Sequence, residues 1–311
     1  MARSAATAFA PATVGNVGIG FDILGHTVEA VGDRVSARRV TQAGVRVVSI
    51  AGVVTDLPQD VERNTAGKAV LSLWQSKQAD GGVELEIVKG IPLASGLGGS
   101  AASAVAAVVA ANALLDAPAT PLELLRFAMQ GEQVASGSIH VDNIAPSLFG
   151  GLVLTVGIDH PRVKQIPVPP SIRCVLVHPH MRVATRDARG ILSQTVTLSD
   201  FVWQTANLAG FISGCYSNDL DMIRDAFQDV IIEPQRQALI PGFRAVRAAA
   251  MECGALGCSI SGAGPSVFAW CEAPSAERAR DAMVGAFAEH GQASDHWITS
   301  IEPRGARLVD R

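Results

Sequence analysis

Basic residues, aromatics, paired cysteines and long apolar runs are all scarce in this chain, and each shortage narrows what it can be. Lys and Arg number 25 against 29 Asp and Glu, a formal net charge of −4 over 311 residues, and aromatics make up only 5%. No basic stripe or aromatic-interleaved basic face is present, so nucleic acid is not an expected partner. An anionic ligand would have to rely on locally placed arginines. The five cysteines, at 174, 215, 253, 258 and 271, are odd in number and lack C-x-x-C spacing. They suit buried thiols in a reducing cytoplasm, the expected location. No apolar run reaches the roughly 18 residues that a membrane span requires. The Ala/Val run of Ser100–Leu115 is too short and too rich in alanine, and is expected to form a buried helix. The N-terminal MARSAATAFAPA has one Arg but no leucine-rich core, so neither a signal peptide nor a membrane partner is expected.

What remains is a globular composition, 48% hydrophobic and 17% charged. The length suits one large or two ordinary domains. No repeat or low-complexity tract interrupts it. The segment HPRVKQIPVPPSIR, with four prolines, is the best boundary. Residues 1–160 and 161–311 are therefore read as two domains.

The stretch around which the chain is organised reads PLASGLGGSAASAVAAVVAANALL, Pro92 to Leu115. Gly96, Gly98 and Gly99 allow positive φ and close backbone approach, because no Cβ is in the way. A helix opening directly from such a loop aims unpaired N–H groups and its positive dipole end at the loop, which is a phosphate site in outline. By itself the loop is more readily an ordinary tight turn before a buried helix, and it matches neither G-x-x-x-x-G-K-[ST] nor G-x-G-x-x-G.

Further stretches carry polar residues in otherwise apolar surroundings. In APATVGNVGIGFDILG, Ala10–Gly25, glycines bracket Asn16 and Asp22, where turn chemistry alone would account for both. Asn64–Gln75 reads as a helix capped by Asn64, after the strand signal of Val45–Ile50. Thr120-Pro121-Leu122-Glu123 is a capping box with Pro at the first helical position, opening a helix to about Ala135. Glu132 falls on that helix's apolar stripe with Leu125, Ala128 and Met129. A buried carboxylate needs a partner, either a salt bridge or a cation such as Mg²⁺. His140, Asp142 and Asn143 precede a double-glycine turn and a strand at Leu152–Val156. Beyond the boundary the tail reads helix, strand, SGAGPS loop, strand, helix, strand, which suits helices on one face of an antiparallel sheet.

Three of these stretches, P-x-x-x-G-L-G-x-S-A-A-S, Ala10–Gly25 and GCSISGAGPSVFAW (Gly257–Trp270), resemble in order and spacing the motifs of the GHMP kinases, which phosphorylate small alcohols such as galactose, homoserine and mevalonate. The N-x-G-x-G-F-D-x-L-G, H-x-D-N-x-A-P and T-x-x-A-R wordings are similar to the branch that acts on homoserine. The resemblance implies an α+β, two-lobed fold, with a ribosomal S5 domain 2-like first lobe and a ferredoxin-like second lobe. It implies ATP and Mg²⁺ as cofactors, L-homoserine as substrate, and a homodimer.

Residue by residue, the resemblance places nucleotide contacts at Asn64, Thr65, Pro92, Ala94, Ser95, Gly96, Leu97, Gly98, Gly99, Ser100, Gly262 and Gly264. It places the metal on Ser100 and Glu132, and the substrate alcohol beside Asn16, Asp22 and Asn143. Asp22 and Asn143 carry the catalytic role. Thr185, Arg189 and Arg236 meet the amino acid, the arginines because a planar fork pairs well with a carboxylate. His140 is assigned a structural hydrogen bond, and Asp142 is left facing away. Three departures stand out: Ile19 for a common Pro, Gly99 for a common Ser, and an Asn at 143 where other members place a catalytic Asp. A mevalonate-type kinase or a catalytically idle nucleotide-binding protein on the same fold are the alternatives.

Overall fold

The structure is a computed structural model and describes residues 3–136, 140–157 and 159–310. Two long strands, β1 (Ala5–Gly15) and β2 (Leu24–Val40), pair antiparallel and bury Ala8, Ala10, Ala12 and Val14 along one face. β3 (Gly44–Gly52) leads to α1 (Thr65–Ser76), capped by Asn64, whose Oδ1 accepts from Gly67 N at 3.0 Å. β4 (Gly82–Lys89) delivers the chain to the glycine loop and α2 (Gly99–Asn112). α3 (Pro121–Ser136) starts on the reciprocal capping box that TPLE spells, with Thr120 N donating to Glu123 Oε2 at 2.7 Å and Glu123 N to Thr120 Oγ1 at 3.4 Å. α4 (Val141–Phe149), β5 (Leu152–Val156) and β6 (Arg162–Ile166) follow.

The second half begins with β7 (Ile172–Pro179), then α5 (Thr185–Gly190), α6 (Leu198–Ser217), α7 (Leu220–Ala226), α8 (Glu233–Arg236) and α9 (Phe243–Glu252). β8 (Gly257–Ile260) and β9 (Val267–Glu272) form a hairpin around SGAGPS, before α10 (Ala276–Glu289), β10 (Ser294–Thr299) and β11 (Arg307–Val309).

Two sheets result. The first runs β11-β1-β2-β4-β3, with β5 pairing the start of β2 and β6 pairing β5. The second runs β10-β7-β9-β8, all antiparallel, and its β-α-β-β-α-β chain order is the ferredoxin-like arrangement. The chain crosses between sheets after Ile166. β6 therefore lies inside the proline-bearing stretch read as a boundary, between Pro161 and Pro167, and β11 returns to the first sheet beside β1.

α2 is the middle layer of the first half. It packs on β1, β2 and β4 from one side and on α1, α3 and α4 from the other. Ala101, Ala104, Val105, Val108 and Ala111 are all fully buried, the signature of a helix enclosed all round. In the second half, α9 and α10 cover one face of the sheet, burying Val246, Ala250, Met283 and Phe287 against Val175, Val177, Val267 and Ala269. The opposite face, with Leu176, Phe268 and Trp270, joins the core of the first half. There Trp270 Nε1 donates to His26 Nε2 at 3.1 Å, and His26 Nδ1 donates to Thr27 O at 3.0 Å. Complete burial pushes the His26 pKa down to about 4, so the ring that ties β2 to β9 is neutral.

Neither α4 nor α6 is legible in apolar periodicity. From Phe201 to Asn218 the chain carries no Lys, Arg, Asp or Glu, and its exposed side shows Leu198 (78% exposed) and Trp203 (61%). Without polar contrast the helical period is lost. Among the described residues no helix is long and apolar enough to cross a membrane. The five cysteines are free thiols, four of them buried, and burial pushes those of Cys215 and Cys271 up to about 12.

Candidate active site

The glycine loop adopts the conformations that only its composition permits. Gly96 (φ 77°) and Gly98 (φ 65°) are left-handed, and Gly98 caps α2 with no side chain to satisfy the helix's first N–H groups. Those groups open on a cavity of about 740 Å³, lined by every residue from Pro92 to Ser100. A Cβ on Gly96 would stand 2.4 Å from Ser261 O, because SGAGPS lies backbone against backbone on this loop. Ser261 Oγ donates to Gly96 O at 2.8 Å, and Ser266 Oγ to Ser95 O at 2.6 Å. A Cβ on Gly98 would stand 2.2 Å from Thr13 Oγ1, so the protein itself demands glycine there, apart from any ligand. Gly262 lines the cavity; Gly264 does not, and packs on Ile240 and Ile260 instead.

At one end of the cavity lie Leu57, Pro58, Arg63, Asn64 and Thr65. The Asn64 amide is spent locally, capping α1 and donating to Pro58 O at 2.7 Å. Across the mouth of α2, Ser100 Oγ donates to Glu132 Oε1 at 2.8 Å. Glu132 is buried, and its Oε2 has no hydrogen-bond partner among the described residues. A buried carboxylate with one orphaned oxygen beside a hydroxyl and a phosphate-type loop is a donor set that fits a hard cation. His140 Nδ1 lies 3.6 Å from Glu132 Oε1. Burial opposes its charge, but Glu132, Asp142 and Asp22 outweigh that and raise its pKa.

The other end of the cavity is built where two glycines face each other, Gly15 on β1 and Gly25 on β2. A Cβ on Gly15 would meet Asp142 Oδ2 at 2.6 Å, and one on Gly25 would meet Asp142 O at 1.7 Å. Their missing side chains admit the first turn of α4, which carries Asp142 and Asn143. The expectation that Asp142 faces away is therefore wrong. It lines the cavity, 2% exposed; its Oδ2 accepts from Asn16 N at 3.1 Å, and its Oδ1 has no partner among the described residues. Burial, then the charge of Asp22, pushes its pKa up to about 6. Asn143 also lines the cavity, with its Oδ1 accepting from Thr13 Oγ1 at 2.8 Å. Asn16 Nδ2 donates to Gly262 O at 2.9 Å, and its Oδ1 accepts from Asp22 N at 3.0 Å. Arg189 NH2 donates to both oxygens of Asp22, at 2.7 and 2.9 Å, while its buried Nε has no partner among the described residues. Arg236, 3% exposed, donates to Ala188 O at 2.9 Å and Gly262 O at 3.1 Å. Thr185 completes this wall, and Arg186 stands at its rim.

Two features have no counterpart in the sequence reading. Thr13 joins β1 to the loop (its N donates to Leu97 O at 3.1 Å) and holds Asn143. Lys89 lines the cavity and forms a buried ion pair with Asp33, with further bonds to Gly99 O (2.7 Å) and Ser103 Oγ (2.8 Å). Asp33 also accepts from Gly90 N and Ile91 N. The pair anchors the first turn of α2. A signal for it exists: Lys89 and Asp33 each occupy an inward position of an alternating strand.

The family profile described as "GHMP kinases N terminal domain" matches residues 64–151, and that described as "GHMP kinases C terminal" matches 211–289. Homoserine kinase of Xylella fastidiosa (strain M12) is 49% identical over 305 residues, 98% of this chain and 94% of its own. That of Chlorobium phaeobacteroides (strain BS1) is 42% identical, covering 97% and 99%. The crystal structure of homoserine kinase from Cytophaga hutchinsonii superimposes with a TM-score of 0.96 at 43% identity, over 99% of this chain and 98% of the other. Lactococcus lactis galactokinase, complexed with galactose, reaches 0.74 at 15% identity over 98% and 95% and shares the fold alone.

Proposed function

The chain belongs to the GHMP kinase family, and we propose that it transfers the γ-phosphoryl group of ATP to the side-chain hydroxyl of L-homoserine, giving O-phospho-L-homoserine for threonine biosynthesis. It is an ATP-dependent small-molecule kinase. The observation that carries the substrate is the charge layout in the cavity beside the glycine loop. Two guanidinium groups, Arg189 and Arg236, and the buried carboxylate of Asp142 line the cavity, and Asp142 Oδ1 has no partner among the described residues. A zwitterion satisfies both signs at once, its carboxylate on the arginines and its ammonium on Asp142. Mevalonate would leave Asp142 unanswered, and galactose would leave all three.

In this reading the N–H groups at Gly96–Ser100 hold the phosphates. Ser100 and Glu132 would hold Mg²⁺, which would supply charge neutralisation on the transferring phosphate. Asn143, fixed by Thr13, and Asp22 orient the alcohol, so that the new O–P bond forms in line as the bridging bond to ADP breaks. Such a transfer depends on positioning and electrostatics more than on a strong base. Intact Ser100 and Glu132 speak against an idle nucleotide-binding protein. A homodimer is supported by the exposed apolar side chains of Phe201, Val202 and Trp203 near the start of α6, and equilibrium sedimentation tests it. The cytoplasm is supported by the free thiols.

The deciding experiment is ADP release with MgATP and homoserine, mevalonate or galactose. Homoserine is expected to be the preferred acceptor by kcat/KM. Preference for mevalonate would overturn the substrate, and no release with any of the three would overturn the kinase.

A further inference from the structure

Between Gly20 and Asp22, in the loop that reaches the alcohol end of the cavity, stands Phe21, half-buried and facing the cavity. The Arg189 guanidinium carbon lies 5.2 Å from its ring centroid, and that of Arg236 lies 5.0 Å away. Both arginines thus sit against one ring. They come from different elements, α5 and α8. They also repel each other: after burial, the nearness of Arg189 is the main cause that lowers the Arg236 pKa. Arg236 is held by two carbonyls and is nearly enclosed. Arg189 is 39% exposed along its side chain, and among the described residues its hydrogen bonds go to Asp22 alone. Without further attraction the more exposed arginine would be pushed away from the enclosed one.

We propose that Phe21 is a positioning and specificity-determining residue: its π face holds Arg189 beside Arg236 so that the pair meets an α-carboxylate as one preformed clamp. The inference rests on the homoserine reading above and adds to it the group that assembles the clamp. An aromatic ring attracts a guanidinium through its quadrupole, and it does so without offering an acceptor that would compete with the carboxylate. Among the described residues Arg189 commits only NH2 to Asp22, which leaves other donors of its guanidinium for an anion. The clamp can therefore take an anion without breaking the Asp22 pair. A carboxylate bound equally in ground and transition states changes KM and leaves kcat alone.

The test is a graded one. Phe21→Leu keeps bulk and removes the quadrupole; fluorinated phenylalanines at position 21 keep the ring and weaken the quadrupole stepwise. With both guanidinium contacts weakened, KM for homoserine should rise about fivefold or more in Phe21→Leu, with kcat and KM for ATP close to wild type. It should climb in order through the mono-, di- and trifluoro residues, and Phe21→Trp should stay near wild type. A flat fluorine series, or a Phe21→Leu enzyme with unchanged KM, would make the ring a spacer and overturn the proposal. So would a fall in kcat at constant KM, which would mean that Phe21 acts only by shaping the Asn16–Asp22 loop. Failure of the homoserine reading itself looks different, because the wild type would then show no homoserine-dependent ADP release.

Discussion

Ser100 Oγ reaches Glu132 Oε1 at 2.8 Å, joining the first turn of α2 to the buried stripe of α3, while Glu132 Oε2 is buried with no partner among the described residues. Glu132→Gln preserves the shape of this bridge and removes its charge. We expect turnover to drop about 10²–10³-fold, the scale for losing one group that stabilises transition-state charge, with circular dichroism unchanged. Wild-type turnover at ordinary Mg²⁺ would dismiss Glu132 as a metal ligand.

Gly98 combines a φ of 65° with only 2.2 Å between its virtual Cβ and Thr13 Oγ1. Gly98→Ala should lose more than about 1 kcal/mol of stability in denaturant titration. Gly98→Val should lose ATP binding as well, because the loop cannot keep its N–H groups in place around the larger side chain. Calorimetry showing unchanged ATP affinity in Gly98→Val would reduce the loop to a structural turn.

Arg189→Ala removes a charge-assisted contact to the substrate carboxylate, worth about 1.5–3 kcal/mol. Since about 1.4 kcal/mol is a factor of ten, kcat/KM for homoserine should fall at least roughly tenfold, with ATP affinity unmoved. An amino alcohol without the carboxylate should be a poor substrate for wild type and lose little more in the variant. Additive losses in this four-way comparison would mean that Arg189 acts through Asp22 and the fold.

The Lys89–Asp33 pair is buried on both sides, with side chains 5% and 0% exposed. Lys89→Met strands a buried carboxylate and should cost about 3–5 kcal/mol, whereas Lys89→Met with Asp33→Asn should recover part of the loss. Urea unfolding decides it: a cost below about 1 kcal/mol for the single variant would mean that the first turn of α2 does not depend on this anchor.

His26 titrates at about 4 in the folded protein against 6.5 in the unfolded chain, so the unfolded state binds more protons between those values. Its contribution is fully present above pH 6.5 and is lost as pH falls toward 4, by about 3 kcal/mol at about 1.4 kcal/mol per pKa unit. Asp142, raised to about 6, acts in the opposite direction over part of that window. The quantity to read is therefore the difference in unfolding free energy between wild type and His26→Gln as pH is lowered. A constant difference from pH 7 to pH 4 would show that His26 does not carry the effect.

The sequence by itself determined what neighbouring residues can settle among themselves. The capping box at Thr120, the left-handed glycines before α2, the Asn64 cap and the β8–β9 hairpin each need only a few residues, because their hydrogen bonds and steric limits act within one or two turns. The family motifs added the Ser100–Glu132 pairing and the cluster of Arg189 and Arg236. Tertiary structure alone decided that Asp142 faces inward, since the space for it comes from Gly15 and Gly25, more than a hundred positions away. It decided that β6 and β11 complete the first sheet, because pairing partners on a sheet edge leave no mark in either strand. It decided too that Phe21 gathers two arginines. Local rules act through backbone geometry and are written in short words; a site lined by many separate segments is formed only when packing brings them together, and no one segment records the distances between them.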